Sequence, residues 1–281
     1  MRWVGIVALL SGMVLIATGA AAQTPAKTPA QAPAEEGLMT PAAAPVLAKA
    51  WTGDFDGMVK RRVIRALVPY SKTYYFVDRA VQRGLSYDIT RLLEADINKK
   101  LKTGNVRIHV VCIPVTRGEM IPALLEGRGD IAMGNLTITP ERQKQVDFTY
   151  PTARNVVEIL VTGPGAAPVA TVEDLSGKEV YLRKSSSYYQ SIEALNAELA
   201  KAKKVPVTIR LAPENLEDED VLEMVNAAPL KMTTVEDYLA YFWKQIFTSL
   251  KPNPDVKVRT GGDIAWMIRK DSPKLKAELD A

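Results

Sequence analysis

Histidine and cysteine are almost missing from this chain, with one of each in 281 residues. A lone His109 and a lone Cys112 cannot supply a metal cluster, a Ser–His pair or a Cys–His pair, and no disulfide can close within one chain. Cys112 lies in the apolar run 110–114 and reads as a buried, inert thiol, and His109 reads as a strand residue beside it. Charge of one sign is also missing. The 36 Lys and Arg are interspersed with 32 Asp and Glu, for a net +4. No basic stripe with interleaved aromatics appears, which argues against nucleic acid as a partner. Long apolar runs are absent as well. The stretch 4–17 is mostly apolar but too short and wrongly flanked for a comfortable membrane span. With Arg2 ahead of it and Ala20-Ala-Ala22 behind it, residues 1–22 read as a secretory signal peptide. It holds no cysteine for a lipid anchor, and left uncleaved it would tether the chain to the membrane. Residues 23–50, rich in Ala, Pro, Thr, Gln and Lys, read as a disordered linker. Folded sequence is expected from Trp51 onward, enough for two modest lobes or one large domain.

What is present is concentrated in Gly129-Asp-Ile-Ala-Met-Gly-Asn-Leu-Thr-Ile-Thr-Pro-Glu-Arg142. Arg128-Gly-Asp130 reads as the turn into a buried strand at 130–133. Gly134 permits close backbone approach. Thr139 is an N-cap, Pro140 suits the first helical position, and Glu141 complements the helix dipole. Free backbone N–H groups, the Thr137 hydroxyl and the Arg142 guanidinium therefore converge as donors to an anion, such as the carboxylate of a small molecule. The plain alternative is a strand–turn–helix with a solvated arginine.

Around this turn the pattern reads as strand and helix in alternation. A short helix at 54–60 precedes a buried strand at 62–70. A helix at 84–101 carries Ile89, Leu92, Leu93 and Ile97 at helical spacing. A strand at 106–114 and a helix at 117–127 follow. This succession argues for a mostly parallel sheet covered by helices. After Pro151 the pattern restarts, with strands at 156–162 and 207–211, a capped turn and strand over 172–182, and helices at 185–201 and 218–228. Glu217-Asp-Glu-Asp220 reads as the polar first turn of that last helix, favoured by its dipole, and lacks the Gly-containing loop of a calcium site.

The run Gly134-Asn-Leu-Thr-Ile-Thr-Pro-Glu-Arg142, followed by Gln145-Val-Asp-Phe-Thr-Tyr-Pro151, resembles the signature of the family 3 solute-binding proteins, two-lobed periplasmic receptors mostly for amino acids. The resemblance covers about residues 60–281. It implies an α/β, two-lobed periplasmic-binding-protein type II fold, each lobe a mostly parallel sheet flanked by helices, with the ligand cleft between lobes. The solute-binding domain would be 51–281, with lobe 1 about 51–153 plus 262–281 and lobe 2 about 156–260. By the same resemblance Gly134, Asn135, Thr137 and Arg142 hold the ligand's α-carboxylate and amino group. Tyr74, in the loop after the first strand, stacks on the ligand, with core packing as its alternative. Lys184, Ser187 and Tyr188 face the ligand from lobe 2, with helix capping as theirs. Glu236 or Asp237 pairs with the ligand's amino group. Crossovers near 153–155 and 261–263 would be the hinge.

Trp51-Thr-Gly-Asp-Phe-Asp-Gly-Met58 and Arg183-Lys-Ser-Ser-Ser-Tyr-Tyr189 are similar to the receptor-like N-terminal part of lytic transglycosylase F-type proteins, in which a second domain cleaves peptidoglycan. The Glu-Ser pair of that catalytic domain is absent here. The resemblance implies a non-catalytic, monomeric periplasmic module without metal or cofactor, binding an amino acid or cell-wall peptide, with a peptidoglycan-cleaving domain or an ABC permease as partner. The alternatives are the substrate receptor of an amino-acid ABC importer, and an enzyme derived from this fold using Glu236, Asp237 or Asp88. The chain departs from the family pattern at Ala228, where Gly is usual, and at Thr233-Thr234, where the strand is normally apolar. Its last helix, from Lys274, is cut short.

Overall fold

A computed structural model of the protein describes residues 49–281. The signal peptide and nearly all of the linker expected from the sequence lie outside the described residues.

Helix α1 (Phe55–Arg61) is capped by the Asp54 carboxylate and ends at Arg62 in the left-handed conformation. It leads into β1 (Val63–Pro69), every residue of which is buried. A strand sandwiched on both faces reads as a continuous apolar run, and β1 obeys that rule except at Arg65. Arg65 is fully buried and donates to Asp130 and to the carbonyls of Lys49 and Trp51, both at 3.0 Å. Arg61 also bonds Asp130, and Arg269 lies 3.6 Å from it while donating to the carbonyls of Leu124, Gly129 and Gly53. Asp130 is thus the buried turn residue before the strand that begins at Ile131, as the sequence reading expects.

A hairpin follows, β2 (Phe76–Asp78) with β3 (Val81–Arg83), then α2 (Leu85–Lys100), β4 (His109–Val115), a 3-10 turn (Arg117–Glu119), α3 (Met120–Leu125), β5 (Ile131–Thr137), α4 (Pro140–Gln143) and β6 (Asp147–Phe148). Strands β4, β1 and β5 are parallel, as expected from the alternating pattern. Ile64, Ala66 and Val68 of β1 point into one apolar cluster with Met58, Ile97 and Ile108, while Leu67 points into another with Met120 and Phe148. The alternation follows from the two-residue period of a strand.

Helix α2 corrects one expectation. Leu92 is 70% exposed, and the buried face carries Thr90, Glu94 and Asn98 beside Ile97. The reason lies in β4, whose outer edge pairs with no strand among the described residues. Asn98 accepts from the Ile108 N–H and donates to its carbonyl, and Glu94 accepts from the Val110 N–H at 2.8 Å. Polar side chains on the helix thus stand in for a missing strand.

The second group of elements is β7 (Ala153–Thr162), a 3-10 turn (Val172–Leu175), β8 (Glu179–Arg183), α5 (Ser187–Lys201), β9 (Thr208–Ala212), α6 (Asp218–Asn226), β10 (Met232–Glu236) and α7 (Asp237–Lys244). A separate apolar core, including Leu160, Leu182, Ile192, Leu222 and Val235, holds them together. The two clusters on either side of β1 belong to one lobe and this third cluster to the other. Strands β8 and β9 form a parallel pair beside β10, while β7 runs antiparallel to β10. The return strand β11 (Lys251–Ile268) begins well before the expected residue 264 and runs through both lobes, pairing with β7, β5 and β6. Its ladder with β7 loses regular register on either side of Gly262. There Asn155 on β7 and Gly261 on β11 both take left-handed conformations, at φ 56° and 69°.

The chain closes with α8 (Pro273–Leu279), whose Leu275 is fully buried. Asp54 accepts from the Lys274 and Leu275 N–H groups, so one carboxylate caps both α1 and α8. At the end of α6, Ala228 sits at φ 73°. This is the conformation that suits glycine and that the sequence departure foretold.

Candidate functional site

The strand expected at 130–133 continues to Thr137, so Gly134 and Thr137 belong to β5 and only α4 follows as a single helical turn. Gly134 lies against Pro69, and a Cβ there would fall 2.5 Å from the proline ring. Thr139 accepts from the Arg142 N–H, as its N-cap position predicts. This cap fixes the root of the Arg142 side chain. Its guanidinium then donates at 2.7 Å to the carbonyl of Thr137 in lobe 1 and at 3.0 Å to that of Ser185 in lobe 2. Among the described residues no carboxylate bonds it directly. Burial, together with the nearby charge of Arg117, lowers it to about 10, although part of the side chain still meets solvent.

Facing it is the N-terminus of α5, capped by Ser186 accepting from the Tyr189 N–H. The Ser187 hydroxyl lies 3.2 Å from that of Thr137, joining the two lobes directly. Tyr188 is buried and donates to Glu236. Glu236 closes β10 and is 2% exposed, whereas Asp237 begins α7, caps its own helix at the Tyr238 N–H and is partly exposed. Of the two acids between which the sequence left the register open, Glu236 is the buried one. Asn135, at φ 59°, accepts from the Tyr238 hydroxyl across the cleft. Tyr74 is 5% exposed, with the Arg117 guanidinium 5.4 Å from its ring centroid. Lys184 is exposed and stands apart from the others, because the buried basic residue of that turn is its neighbour Arg183.

The residues missed by sequence reasoning are Arg117 and the acidic turn of α6. Glu217, Asp218 and Glu219 are not solvated; they are 3%, 6% and 1% exposed. Arg117 donates to Glu217 at 2.8 Å across the cleft, and the Ser71 hydroxyl and Thr73 N–H both donate to Glu219. Arg183 pairs with Glu217 and Asp218 from within lobe 2. Burial works against the charge on Arg117, but Glu217 and Asp218 outweigh it and hold the guanidinium above its ordinary range. Burial and the charge of Asp218 push Glu236 up to about 8. Glu217 is also raised by burial, despite Arg117 and Arg183. The one sequence signal was the spacing of Glu217 and Asp220, which form a capping box.

The cleft walls are thus oppositely charged. Lobe 1 brings Arg117 and Arg142; lobe 2 brings Glu217, Asp218, Glu219 and Glu236. Such a pair of walls suits a zwitterion. Beside the cleft a groove of about 400 Å³ is lined by Tyr70, Pro114, Val115, Glu119, Glu214 and Glu217.

Residues 65–281 match the family described as bacterial extracellular solute-binding proteins, family 3. Among relatives, a membrane-bound lytic murein transglycosylase F from Desulfosudis oleivorans is 20% identical over 211 residues, covering 73% of this chain and 41% of the relative. An L-glutamate/L-aspartate-binding protein from Pseudomonas aeruginosa is 27% identical over 246 residues, covering 85% of this chain and 76% of the relative. This chain thus spans about two fifths of the transglycosylase relative and three quarters of the binding protein. A solved ancestral arginine-binding protein bound to arginine superimposes with a TM-score of 0.63 at 20% identity, covering 78% of this chain and 90% of the other, a likeness of fold. Among the described residues no helix is long and apolar enough to cross a membrane.

Proposed function

Because the chain belongs to the bacterial extracellular solute-binding proteins, family 3, we propose that its cleft captures a small carboxylate-bearing solute, an amino acid or a cell-wall peptide, in the periplasm. The observation that carries this reading is Arg142, held between carbonyls of both lobes and bonded to no carboxylate among the described residues. In this reading Arg142 and Thr137 take the ligand carboxylate and Glu236 its ammonium, while Ser187 and Tyr188 complete the lobe 2 wall. Capture closes the lobes about the left-handed Asn155 and Gly261. The chain itself does no chemistry. It serves as the regulatory part of a lytic transglycosylase F-like protein, a reading supported by the longer transglycosylase relatives.

A second reading, the receptor of an amino-acid importer, is favoured by the share of the glutamate/aspartate-binding relative that this chain spans, 76%. Thermal-shift screening against amino acids and muropeptides separates the two by ligand class. Arg142→Ala removes charge-assisted bonds worth about 1.5–3 kcal/mol each, so affinity falls at least about tenfold. An unchanged affinity overturns the carboxylate assignment.

A further inference from the structure

Deep in the lobe 2 wall, the Tyr188 hydroxyl touches two carboxylates. It bonds Glu236 Oε2 and lies 3.3 Å from Asp218 Oδ2. A phenol carries one proton and can donate to one of them. An ionised carboxylate only accepts, so the two carboxylates either share this one proton or one of them carries a proton of its own. A third carboxylate stands next to this pair. Glu158 on β7 is directly opposite Glu236 on β10 in the antiparallel register, which places the two side chains on the same face. Its side chain is 3% exposed; one oxygen accepts from the Ser191 hydroxyl, and Oε1 has no hydrogen-bond partner among the described residues, with Arg259 at 4.0 Å. A buried acceptor left open beside two linked carboxyl groups is the arrangement a cation would complete.

We infer that Glu236, Asp218 and Glu158, linked through Tyr188, form a carboxyl cluster that holds one proton in the free protein and releases it to solvent when the ligand's ammonium group seats against it. The inference rests on the amino-acid-type ligand proposed above. Before binding, the extra proton relieves the repulsion among the three carboxylates. The ammonium then supplies that positive charge and the proton departs to the buffer. The groups facing Glu236 from the packed elements are Asp218 of α6, Tyr188 of α5, Glu158 of β7, Tyr238 of α7 and Tyr74 of the loop after β1, with Arg142 across the cleft. Arg183 holds Asp218, and Arg259 is the cation nearest Glu158. Burial and Asp218 already raise Glu236 to about 8, so near neutral pH the free cluster is protonated.

The test is isothermal calorimetry with L-glutamate, L-arginine and a disaccharide-tetrapeptide muropeptide, each run in phosphate and in Tris. These buffers differ in ionisation enthalpy, so the difference in heat counts protons. The expected result is release of about one proton per ligand near pH 7, declining to none well above pH 8, with affinity rising over the same interval. Asp218→Asn should reduce the count because Glu236 loses its strongest charged neighbour. Should that variant not fold, Glu236→Gln removes the titrating group itself and should abolish release while weakening binding. Binding with no proton release, or release that persists in Glu236→Gln, overturns this inference and leaves the receptor reading intact. A folded protein that binds none of the probes overturns both.

Discussion

In lobe 1, Asp130 sits among Arg61, Arg65 and Arg269; in lobe 2, Arg183 sits between Glu217 and Asp218, and Asp218 reaches Glu236 through Tyr188. The two clusters are alike in burial and opposite in surplus. The lobe 1 cluster lies away from the cleft, and its surplus guanidinium donors end on backbone carbonyls of Lys49, Trp51, Gly53, Leu124 and Gly129. It ties the segment before α1 and the turn before β5 to the sheet. The lobe 2 cluster lies at the cleft, and its surplus negative charge ends on an open Glu158 oxygen. A surplus quenched by carbonyls holds a fold together. A surplus left open at a cleft is available to a ligand.

The largest effect should come from breaking the quenched cluster. Asp130→Asn leaves three buried guanidiniums without their shared carboxylate. Removing one partner of a buried ion pair costs about 3–5 kcal/mol, and urea unfolding should show a loss of that size. The equivalent change in lobe 2 should differ in sign at alkaline pH. Glu236 has a folded pKa of about 8, raised above its ordinary value by burial and Asp218. The folded state therefore binds the proton more tightly than the unfolded state. That contribution to stability is full below the ordinary carboxyl range and is lost as pH rises through 8. Glu236→Gln should remove this group's slope, at most about 1.4 kcal/mol per pH unit, so the variant gains on the parent protein from pH 5 to pH 9. Urea midpoints measured across that range would show the two curves converging or crossing; parallel curves would contradict the assignment.

The sequence made one half of the site far more legible than the other. Gly134, Thr137, Thr139 and Arg142 are close in the chain, and their geometry is set by one strand and one capped turn, so local chemistry is enough to find them. The acidic turn at 217–220 is equally visible, and it does open a helix as read, but its burial is not legible in the sequence. Its burial depends on Ser71 and Arg117, which are about 100 residues or more away in sequence and meet it only across the cleft. The same contrast runs through the fold. Strand β1 announced itself by composition. Helix α2 did not reveal its buried face, because Glu94 and Asn98 are buried for the hydrogen bonds they offer β4 and not for their hydrophobicity. The first half of β11 carries Pro252 and Pro254, which usually argue against a strand, yet Pro252 pairs with Val161 on β7.

The smallest expected effect tests whether lobe 2 also carries strain where no ligand would use it. Ala228 closes α6 at φ 73°, and its N–H still reaches the Val225 carbonyl at 3.2 Å. A left-handed conformation costs an L-residue about 1–2 kcal/mol, while glycine returns about 0.4–1 kcal/mol of flexibility to the unfolded chain. Ala228→Gly should therefore stabilise the protein by about 0.5–1 kcal/mol, a rise in Tm of about 2 °C for a domain of this size. Ligand affinity and proton release should be unchanged, since Ala228 lies at the opposite end of α6 from Glu217 and Asp218. A gain in stability accompanied by altered affinity would mean that the α6 terminus and the carboxyl cluster move together, and that the strain at Ala228 is part of the cleft.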